Sequence, residues 1–460
     1  MRTQCNAEQL QFSCVERRRV VAAFDGGQVT SDAGALLLLR TDRAIRLIDR
    51  LAGCFVDRRS QVTVEHGVRT LLAQRVLGIA AGYEDLNDHD ALRRDPLWGA
   101  LIGKLEAKRS DCAPLAGKST LNRLELSVAE RLTRYHRIGH VPEALERLFV
   151  DLFLEAHRKA PRQIVLDLDA TDDPLHGEQE GRFFHGYYDG YCYLPLYIFC
   201  GRHLLAAKLR RSNLDASSGA VEEVERLVAQ IRARWPAVRI LLRADSGFAR
   251  EALMAWCEQH AVDYVFGLAR NKRLERILGR ALHEARQQAR RSGRPARVFR
   301  DFRYRTRNSW SRRRRVIGKA EHLGDKANPR YLVTSLTREE WPAQRLYERL
   351  YCARGEMENR IKEAPLELFA DRTSSHTFRA NQLRLWLASF AYVLLEALRR
   401  LGLAATAFAT ATAGTIRLKL LKIGALITVS VRRVKLAMSS AHPHQREFRT
   451  AFHALGAAAR

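Results

Sequence analysis

Three carboxylates are the residues of this chain best suited to chemistry, because each lies at or beside a predicted secondary-structure element. Asp169 lies near the end of the short β-rich run LDLDAT, and Asp245 directly follows the β-rich run VRILLRA. Glu358 lies in a charged run predicted to be helical, YCARGEMENRIKEAP. Acids at strand ends and an acid on a neighbouring helix can converge above the edge of a sheet. The three acids therefore form one candidate site.

Such a group of carboxylates predicts a site for hard divalent cations. Mg²⁺ prefers oxygen ligands, and two ions about 3.5–4 Å apart can clamp the attacking and leaving oxygens of a phosphoryl displacement. The expected cofactor is Mg²⁺, with Mn²⁺ as a substitute and two ions per site. In the simpler interpretation, Asp169 caps a turn and Asp245 caps a helix. Asp167 also stays open as the first ligand, since it shares a strand face with Asp169.

The helix predicted over residues 346–363 determines which of its acids faces such a site. At about 100° per residue, one arc of roughly 60° holds four side chains: Tyr351, Arg354, Glu358 and Lys362. An apolar stripe on an adjoining face should pack on a core; it consists of Leu346, Leu350, Met357 and Ile361. Glu358 is therefore the candidate acid. The alternative is an ordinary helix in which Glu358 pairs with Arg354 and Lys362.

The elements that must position these acids predict an α/β fold with a mixed sheet. Residues 1–158 read as mostly helical. From residue 159 to 267 the patterns alternate in the order β-β-β-α-β-α-β, and residues 341–400 return to helix, so these two stretches are predicted to form one layered core. Residues 268–340 read as a basic, β-rich insertion, and residues 401–460 as a basic C-terminal region.

The charge balance predicts a polyanionic partner. Lys and Arg total 78 against 51 acids, a net charge of +27. Nucleic acid is the expected partner, and an anionic membrane surface is the alternative. None of the eight cysteines forms a CxxC pair, which argues against a zinc knuckle and favours a reducing cytoplasm. The apolar stretch Leu401–Ile416 is short for a membrane span and is expected to be packed protein.

Several sequence blocks together resemble a known family. They are GYEDLNDHDALRRDP (82–96), LAGKSTLNRLE (115–125), LDLDATDDPLHG (166–177), RADSGF (243–248) and ARGEMENRIKE (353–363). The chain resembles DDE transposases of bacterial insertion sequences. The pattern Tyr351-x-x-Arg354-x-x-x-Glu358 resembles the signature of the insertion-sequence-4 superfamily, and the blocks resemble its insertion-sequence-1380 group.

The resemblance implies a ribonuclease-H-like catalytic core and assigns roles within it. Asp169, Asp245 and Glu358 would be the catalytic, metal-binding triad. The superfamily signature has a Lys seven residues after its Glu, where this chain has Pro365, so Lys362 is the nearest substitute. Related hairpin-forming enzymes stack a flipped base on a Trp of the insertion.

The insertion and the signature helix supply the residues expected to contact DNA. Between Arg290 and Lys319 there are thirteen basic residues and one acid. Trp310 either stacks on a base or packs between strands. The expected DNA-binding residues are Tyr351, Arg354, Lys362, Trp310, Arg312, Arg313, Arg314 and Arg315.

The predicted function is a cytoplasmic, nucleoid-associated DNA transposase. It would bind terminal inverted repeats through the N-terminal region, the insertion and the tail, cleave the transposon ends and join them to target DNA. Since two ends must be brought together, a homodimer in a synaptic complex is expected, with no membrane partner. The alternatives are a metal-dependent nuclease without strand transfer and a catalytically inactive DNA-binding protein or repressor.

Overall fold

A computed structural model describes residues 9–128, 136–323 and 326–459, without the side chains of residues 364 and 365. The chain folds into two compact units. One comprises Met1–His140 and Leu394–Arg460, and the other comprises Val141–Val393. All three candidate acids belong to the second unit. The domain boundaries expected from the sequence stay a prediction.

The strands and helices of the described residues have the following bounds. The strands are β1 (Leu10–Val15), β2 (Arg18–Ala22), β3 (Gln28–Thr30), β4 (Phe55–Asp57), β5 (Ile138–His140), β6 (Gln163–Ala170), β7 (Asp173–Pro174), β8 (Phe183–His185), β9 (Gly190–Tyr193), β10 (Leu196–Cys200), β11 (His203–Lys208), β12 (Arg239–Ala244), β13 (Asp263–Leu268), β14 (Ala296–Tyr304), β15 (Arg314–Leu323), β16 (Lys326–Ala327), β17 (Arg330–Thr334), β18 (Ala425–Ser430) and β19 (Arg433–Met438). The α-helices are α1 (Leu36–Ile45), α2 (Leu47–Ala52), α3 (Val68–Ala81), α4 (His89–Leu92), α5 (Pro96–Ile102), α6 (Lys118–Glu125), α7 (Pro142–Glu155), α8 (Ala220–Arg234), α9 (Glu251–Gln259), α10 (Lys272–Ser292), α11 (Ala343–Arg345), α12 (Gly355–Leu368), α13 (Phe378–Leu398), α14 (Ala413–Ile416) and α15 (Gln445–Ala458). Short 3₁₀ segments span Ala33–Ala35, Ser246–Phe248 and Cys352–Arg354, and π-helical segments span Leu346–Tyr351, Arg399–Leu403 and Arg417–Leu421.

A mixed sheet of nine strands organises the second unit. Its order is β11–β10–β6–β12–β13–β17–β15–β14, and β16 pairs with β15. The central strands β6, β12 and β13 run parallel, while β10 is antiparallel to β6 and β17 is antiparallel to β13. The structure confirms the mixed α/β core, including the order β6, β10, β11, α8, β12, α9 and β13. It differs in the run YCYLPLYIF, which is divided between β9 and β10 at Pro195, a residue without a backbone donor.

The central strands are buried on both faces, and their side chains alternate between two apolar clusters. On β12, Ile240, Leu242 and Ala244 belong to the cluster that also contains buried residues of α8, α9 and α10. Leu241 belongs to a second cluster, which contains Leu346 and Leu350 of the π-helical segment. Helices therefore cover both faces of the sheet, as the near-continuous hydrophobic runs of parallel strands require.

The segment 268–340 continues this sheet rather than departing from it. Strands β14, β15 and β17 extend the sheet beyond β13. The 21-residue helix α10 was missed by the sequence analysis, although its buried residues recur at helical spacing: Leu274, Leu278, Ala281, Ala285 and Ala289. Small alanines make this apolar stripe narrow, and the surrounding arginines obscure it in the sequence.

The first unit is built mainly from helices with small sheets. Its described residues include α1–α6, α14 and α15, and β18 pairs with both β19 and β3. Within Leu401–Ile416, Leu403, Ala413 and Ile416 are buried, which confirms the expectation of packed protein. Among the described residues, no helix combines the length and the apolar character that a membrane crossing needs.

A buried ion pair links the two central strands. Arg243 on β12 donates two hydrogen bonds to the Asp167 carboxylate on β6, one of them 2.8 Å long. The same guanidinium donates to the backbone carbonyl of Leu350, at 2.6 Å. Both side chains are buried, so the pair also anchors the π-helical segment to the sheet.

We predict that Arg243→Ala strongly destabilises the second unit, because Asp167 is left charged and buried without its partner. The expected loss is about 3–5 kcal/mol of unfolding free energy, measured by urea denaturation. The control is Arg239→Ala on the same strand, whose half-exposed guanidinium pairs with Asp263 and Glu340, and whose loss should stay below about 1 kcal/mol. Equal losses for the two variants would contradict the prediction.

A second buried acid lies in the three-stranded sheet β7–β9–β8, which follows β6. Asp173 on β7 is buried, and among the described residues neither of its carboxylate oxygens has a hydrogen-bond partner of good geometry. Burial raises the pKa of Asp173 to about 8, and a weak interaction with the Thr373 hydroxyl lowers it only in part. Asp173 therefore carries a proton at neutral pH in the folded protein.

We predict that Asp173→Asn stabilises the protein more at pH 8 than at pH 5. The folded state binds this proton more tightly than the unfolded chain, so wild-type stability falls as pH rises from about 4 towards 8, and Asn removes that loss. The gain in unfolding free energy of the variant over wild type, measured by urea denaturation, should be larger at pH 8 than at pH 5 by on the order of 3 kcal/mol. Asp111→Asn is the control, since pairing with Arg109 holds the pKa of this exposed acid below its usual range. If wild type and Asp173→Asn differed in unfolding free energy by the same amount at both pH values, Asp173 would not be protonated in the folded protein as proposed.

Candidate active site

Two of the three candidate acids lie at the same edge of the central sheet. Strands β6 and β12 are parallel and in register, with Leu168 opposite Ala244, so Asp169 and Asp245 follow at adjacent positions. Neighbouring strands lie about 4.8 Å apart. By the alternation of a strand, both acids also lie on the sheet face that Arg243 occupies. The Asp245 side chain accepts a hydrogen bond from the Gly247 amide at 2.8 Å, so it caps the turn that follows β12.

The segment carrying the third acid is not the regular helix that the sequence predicted. It passes from α11 through the π-helical turn Leu346–Tyr351 and the 3₁₀ turn Cys352–Arg354 into α12. The predicted apolar stripe is confirmed, since all four of its members are buried: Leu346, Leu350, Met357 and Ile361. The irregular turns change the phase between Tyr351 and Glu358, and π-helical turns occur frequently at functional sites.

Arg354 lies at the centre of the candidate site. Its guanidinium forms an ion pair with Glu358 one turn later, and one of its nitrogens lies 3.7 Å from an Asp169 carboxylate oxygen. The ion pair between Arg354 and Glu358 was the simpler sequence interpretation, and it is present. Lys362 lies on α12 with an exposed side chain. Arg354 therefore connects the end of β6 with the helix that carries Glu358.

Asp169 lies within electrostatic range of both other acids. Burial raises the pKa of Asp169 to about 6. The Arg354 charge opposes this shift, while the carboxylates of Asp245 and Glu358 increase it. Asp169 therefore experiences both of the other acids, and Arg354 neutralises part of their mutual repulsion.

The donor set fits a hard cation, but the side chains surround Arg354 rather than a common point. Carboxylate oxygens are the ligands that Mg²⁺ prefers. As the side chains stand in the described part of the chain, no group of three His, Cys, Asp or Glu residues is arranged to hold a metal ion. The expected convergence is thus only partial. Shared coordination would require Glu358 to leave its ion pair with Arg354.

Asp167 and Asp169, the two aspartates that the sequence left open as the first ligand, have different surroundings in the structure. Asp167 is only 1% exposed, and both of its oxygens accept hydrogen bonds from Arg243. Asp169 lies closer to the sheet edge and is partly exposed. Because the Asp167 carboxylate is already neutralised by a buried cation, Asp169 is the better candidate.

A glycine that the sequence analysis did not select shapes the same region. A Cβ atom at Gly267 on β13 would lie 2.7 Å from the Tyr351 hydroxyl and 2.8 Å from the Ser246 amide nitrogen. Only glycine fits without displacing the turn after Asp245 or the Tyr351 ring. Burial raises the pKa of Tyr351, so its hydroxyl stays protonated. A glycine inside the strand run VDYVFGL was the available signal, since such residues often mark a close backbone approach.

Trp310 adopts the packing role in this structure. It is 5% exposed and belongs to the main apolar cluster. Its ring contacts Tyr304 edge to face, with centroids 5.7 Å apart, and the Arg314 guanidinium lies 5.5 Å from its centroid. Base stacking by Trp310 would require the ring to leave these contacts.

The four consecutive arginines 312–315 divide into two buried and two exposed residues. Arg314 is buried between the carboxylates of Glu251 and Glu258, and Arg315 is buried against Asp301. Their burial does not fit the expected phosphate contacts, which need an accessible guanidinium. Arg312 and Arg313 are exposed, although Arg312 also pairs with Glu258 at 2.8 Å. These two exposed residues line a cavity of about 610 Å³ together with Arg303 and Arg338.

Comparison with known proteins assigns the chain to a family. Residues 12–459 match the family model described as Transposase DDE domain group 1. No curated protein matches the chain. One similar solved structure is a piggyBac transposase synaptic complex with hairpin DNA; it is 11% identical, and the match covers 85% of this chain and 80% of that chain with a TM-score of 0.40.

Proposed function

The chain belongs to the family of DDE-domain transposases, and on that premise we propose that it binds the terminal inverted repeats of a mobile element, cleaves its ends and joins them to target DNA. The observation that carries this proposal is the placement of Asp169 and Asp245 at one sheet edge, with Glu358 in electrostatic range on the helix above it. The motif blocks support assignment to the insertion-sequence-1380 group of the insertion-sequence-4 superfamily.

The strand order supports a ribonuclease-H-like core. In the half-sheet β11–β10–β6–β12–β13, the first three strands are consecutive antiparallel neighbours, apart from the small sheet inserted after β6. The last two strands then join in parallel on the other side of β6. In this topology the carboxyl ends of β6 and β12 are neighbours, and Asp169 and Asp245 lie at these two ends.

In the proposed site, Asp169, Asp245 and Glu358 would hold divalent ions, two Mg²⁺ per site with Mn²⁺ as a substitute. When bound, such ions stabilise developing negative charge and lower the pKa of water. Arg354, once released from Glu358, would turn its guanidinium towards a phosphate of the DNA strand. Tyr351, protonated and held against Gly267, would donate a hydrogen bond to the same backbone.

The positive charge of the chain supports DNA as the partner. The exposed Arg303, Arg312, Arg313 and Arg338 around the cavity, and Lys362 on α12, are available for phosphate contacts. The buried Arg314 and Arg315 would instead hold this segment in place through their ion pairs with Glu251, Glu258 and Asp301. Affinity should fall steeply with salt, because each contact releases counterions from DNA. We further propose that two copies of the chain bring two ends together in the nucleoid.

We predict that Asp245→Asn and Glu358→Gln each reduce Mg²⁺-dependent nicking of end DNA by at least about a thousandfold. Removing one carboxylate weakens the hold on ions that contribute several kcal/mol to the barrier. The substrate is duplex DNA carrying the inverted repeats that flank the gene. Binding of this DNA should not fall, because both variants remove negative charge. The control is Glu356→Gln, an exposed acid on the same helix that pairs with Arg360 and should nick normally.

The same preparation separates the alternative functions. Pre-cleaved ends with a free 3′-hydroxyl should be joined to a target plasmid by the wild type. A protein that nicks but never joins such ends is a nuclease. A wild type that binds the ends but does not nick them with Mg²⁺ or Mn²⁺ is a catalytically inactive DNA-binding protein, and either result would contradict the transposase proposal.

A further inference from the structure

A hairpin in the second unit exposes an unusual number of aromatic rings. The strands β8 and β9 and their connecting turn span residues 183–193. Its exposed large rings, with exposed fractions in parentheses, are Phe183 (36%), Phe184 (55%), Tyr187 (84%) and Tyr191 (48%). Such a concentration of exposed apolar surface in one short hairpin is typical of a binding surface. We call these four residues the ring cluster.

The geometry of the ring cluster leaves ring faces accessible. Phe184 and Tyr191 are opposite each other across the two strands, and their rings meet at 77° with centroids 5.7 Å apart. In the turn, Tyr187 meets Tyr188 at 89°. An edge-to-face contact covers at most one face of one of the two rings, so a flat ligand can stack on the faces that stay open.

The hairpin is held firmly at its base. The Ser212 hydroxyl donates to the Phe183 carbonyl at 2.9 Å, and the Tyr193 hydroxyl donates to the Glu180 carbonyl at 2.6 Å. The Glu180 amide donates to the His376 carbonyl at 2.8 Å. Exposure of the ring cluster is therefore a feature of an anchored element.

The hairpin lies beside the candidate active site. Strand β7, which begins the same small sheet, starts three residues after β6 ends, directly beyond Asp169. Burial raises the pKa of Tyr188 to about 12, and the carboxylates of Asp172 and Asp169 raise it as well. The Tyr188 phenol is therefore within electrostatic range of Asp169.

The chemistry of this surface favours unpaired bases as its ligand. Every base has a π-face that stacks on aromatic side chains, but in a duplex those faces are covered by neighbouring base pairs. The Arg182 guanidinium lies 4.7 Å from the Tyr191 centroid, and the exposed Arg211 side chain packs against Gly181 at the base of the hairpin. Cations beside stacking rings suit a single strand, whose phosphates follow its bases.

We propose that the ring cluster stacks with unpaired bases of the DNA strand next to the scissile phosphate. This inference rests on the proposed function, because it assumes that the Asp169 site acts on DNA. It adds a binding surface outside the triad, the signature helix and the basic cavity. Bases that leave the duplex near the site would bind here, and so keep the end open around the carboxylates.

The test compares two forms of end DNA that share one sequence. In one form the duplex is fully paired, and in the other the last three nucleotides are unpaired and carry 2-aminopurine, whose fluorescence falls when it stacks. Wild type should bind the unpaired form more tightly and quench it. The double variant Phe184→Ala with Tyr187→Ala should lose roughly tenfold or more in affinity for the unpaired form, together with the quenching, and little for the paired form.

Two control variants show whether the rings themselves matter. Tyr187→Phe keeps the aromatic face and should behave as wild type. Ile277→Ala removes an exposed apolar side chain of α10 in the same unit and should also leave both affinities unchanged. Thermal unfolding of the double variant should match wild type, since the deleted rings are exposed.

Three outcomes would overturn the inference. The first is an equal loss of affinity for the paired and unpaired forms, and the second is unchanged quenching in the double variant. The third is a shift of the monomer–dimer equilibrium in sedimentation without any change in quenching, which would make the hairpin a contact between copies of the chain. Wild type that binds and quenches the unpaired form but never nicks it would refute the enzymatic proposal alone, while wild type that binds neither form would refute both.

Discussion

The arrangement of the candidate site depends on the parallel, in-register pairing of β6 and β12 and on the buried ion pair between Asp167 and Arg243 that fastens them. The alternation of side chains puts these two residues and the acids two positions later on one sheet face. Arg243 also binds the Leu350 carbonyl, so the helical segment that carries Glu358 is attached to the same pair. One buried guanidinium thus connects all three elements that hold the triad. A buried ion pair contributes little net stability, but the loss of one partner is costly, and this makes the geometry hard to alter.

A second guanidinium, that of Arg354, balances the charge above that pair. Three carboxylates in a partly buried space repel one another, and the raised pKa of Asp169 reflects that repulsion together with burial. Arg354 reduces it by pairing with Glu358 and approaching Asp169. Cations that compete for the same oxygens would have to displace this guanidinium, which would then be free to bind an anion. The acids therefore have a cationic partner in either arrangement, and Arg354 is also suited to bind a phosphate.

The sequence was sufficient for features that depend on local patterns. Strand alternation predicted that Asp167 and Asp169 share one face of a strand, and the change from an apolar run to a Gly-containing turn predicted that Asp245 lies at a strand end. The apolar stripe on the signature helix is confirmed by its burial. Features that depend on distant partners could not be read in this way. Arg314 pairs with acids 56 and 63 residues away, so nothing local distinguishes it from the exposed Arg313. Likewise, no pattern in the sequence distinguishes the π-helical segment Leu346–Tyr351 from the regular helix that was predicted there.

The difference between Arg313 and Arg314 bears on how a strongly basic composition should be interpreted. A count of arginines measures attraction to a polyanion only where the guanidinium is accessible, and part of this chain's charge is used to build its core. Two open surfaces of the second unit are the cavity lined by Arg303, Arg312, Arg313 and Arg338, and the ring cluster on the hairpin of β8 and β9. The candidate acids lie instead at the ends of β6 and β12 and on α12. Under the proposed function, changes in these two surfaces would alter which DNA is bound without moving the carboxylates, since the pairing of β6 with β12 involves neither surface.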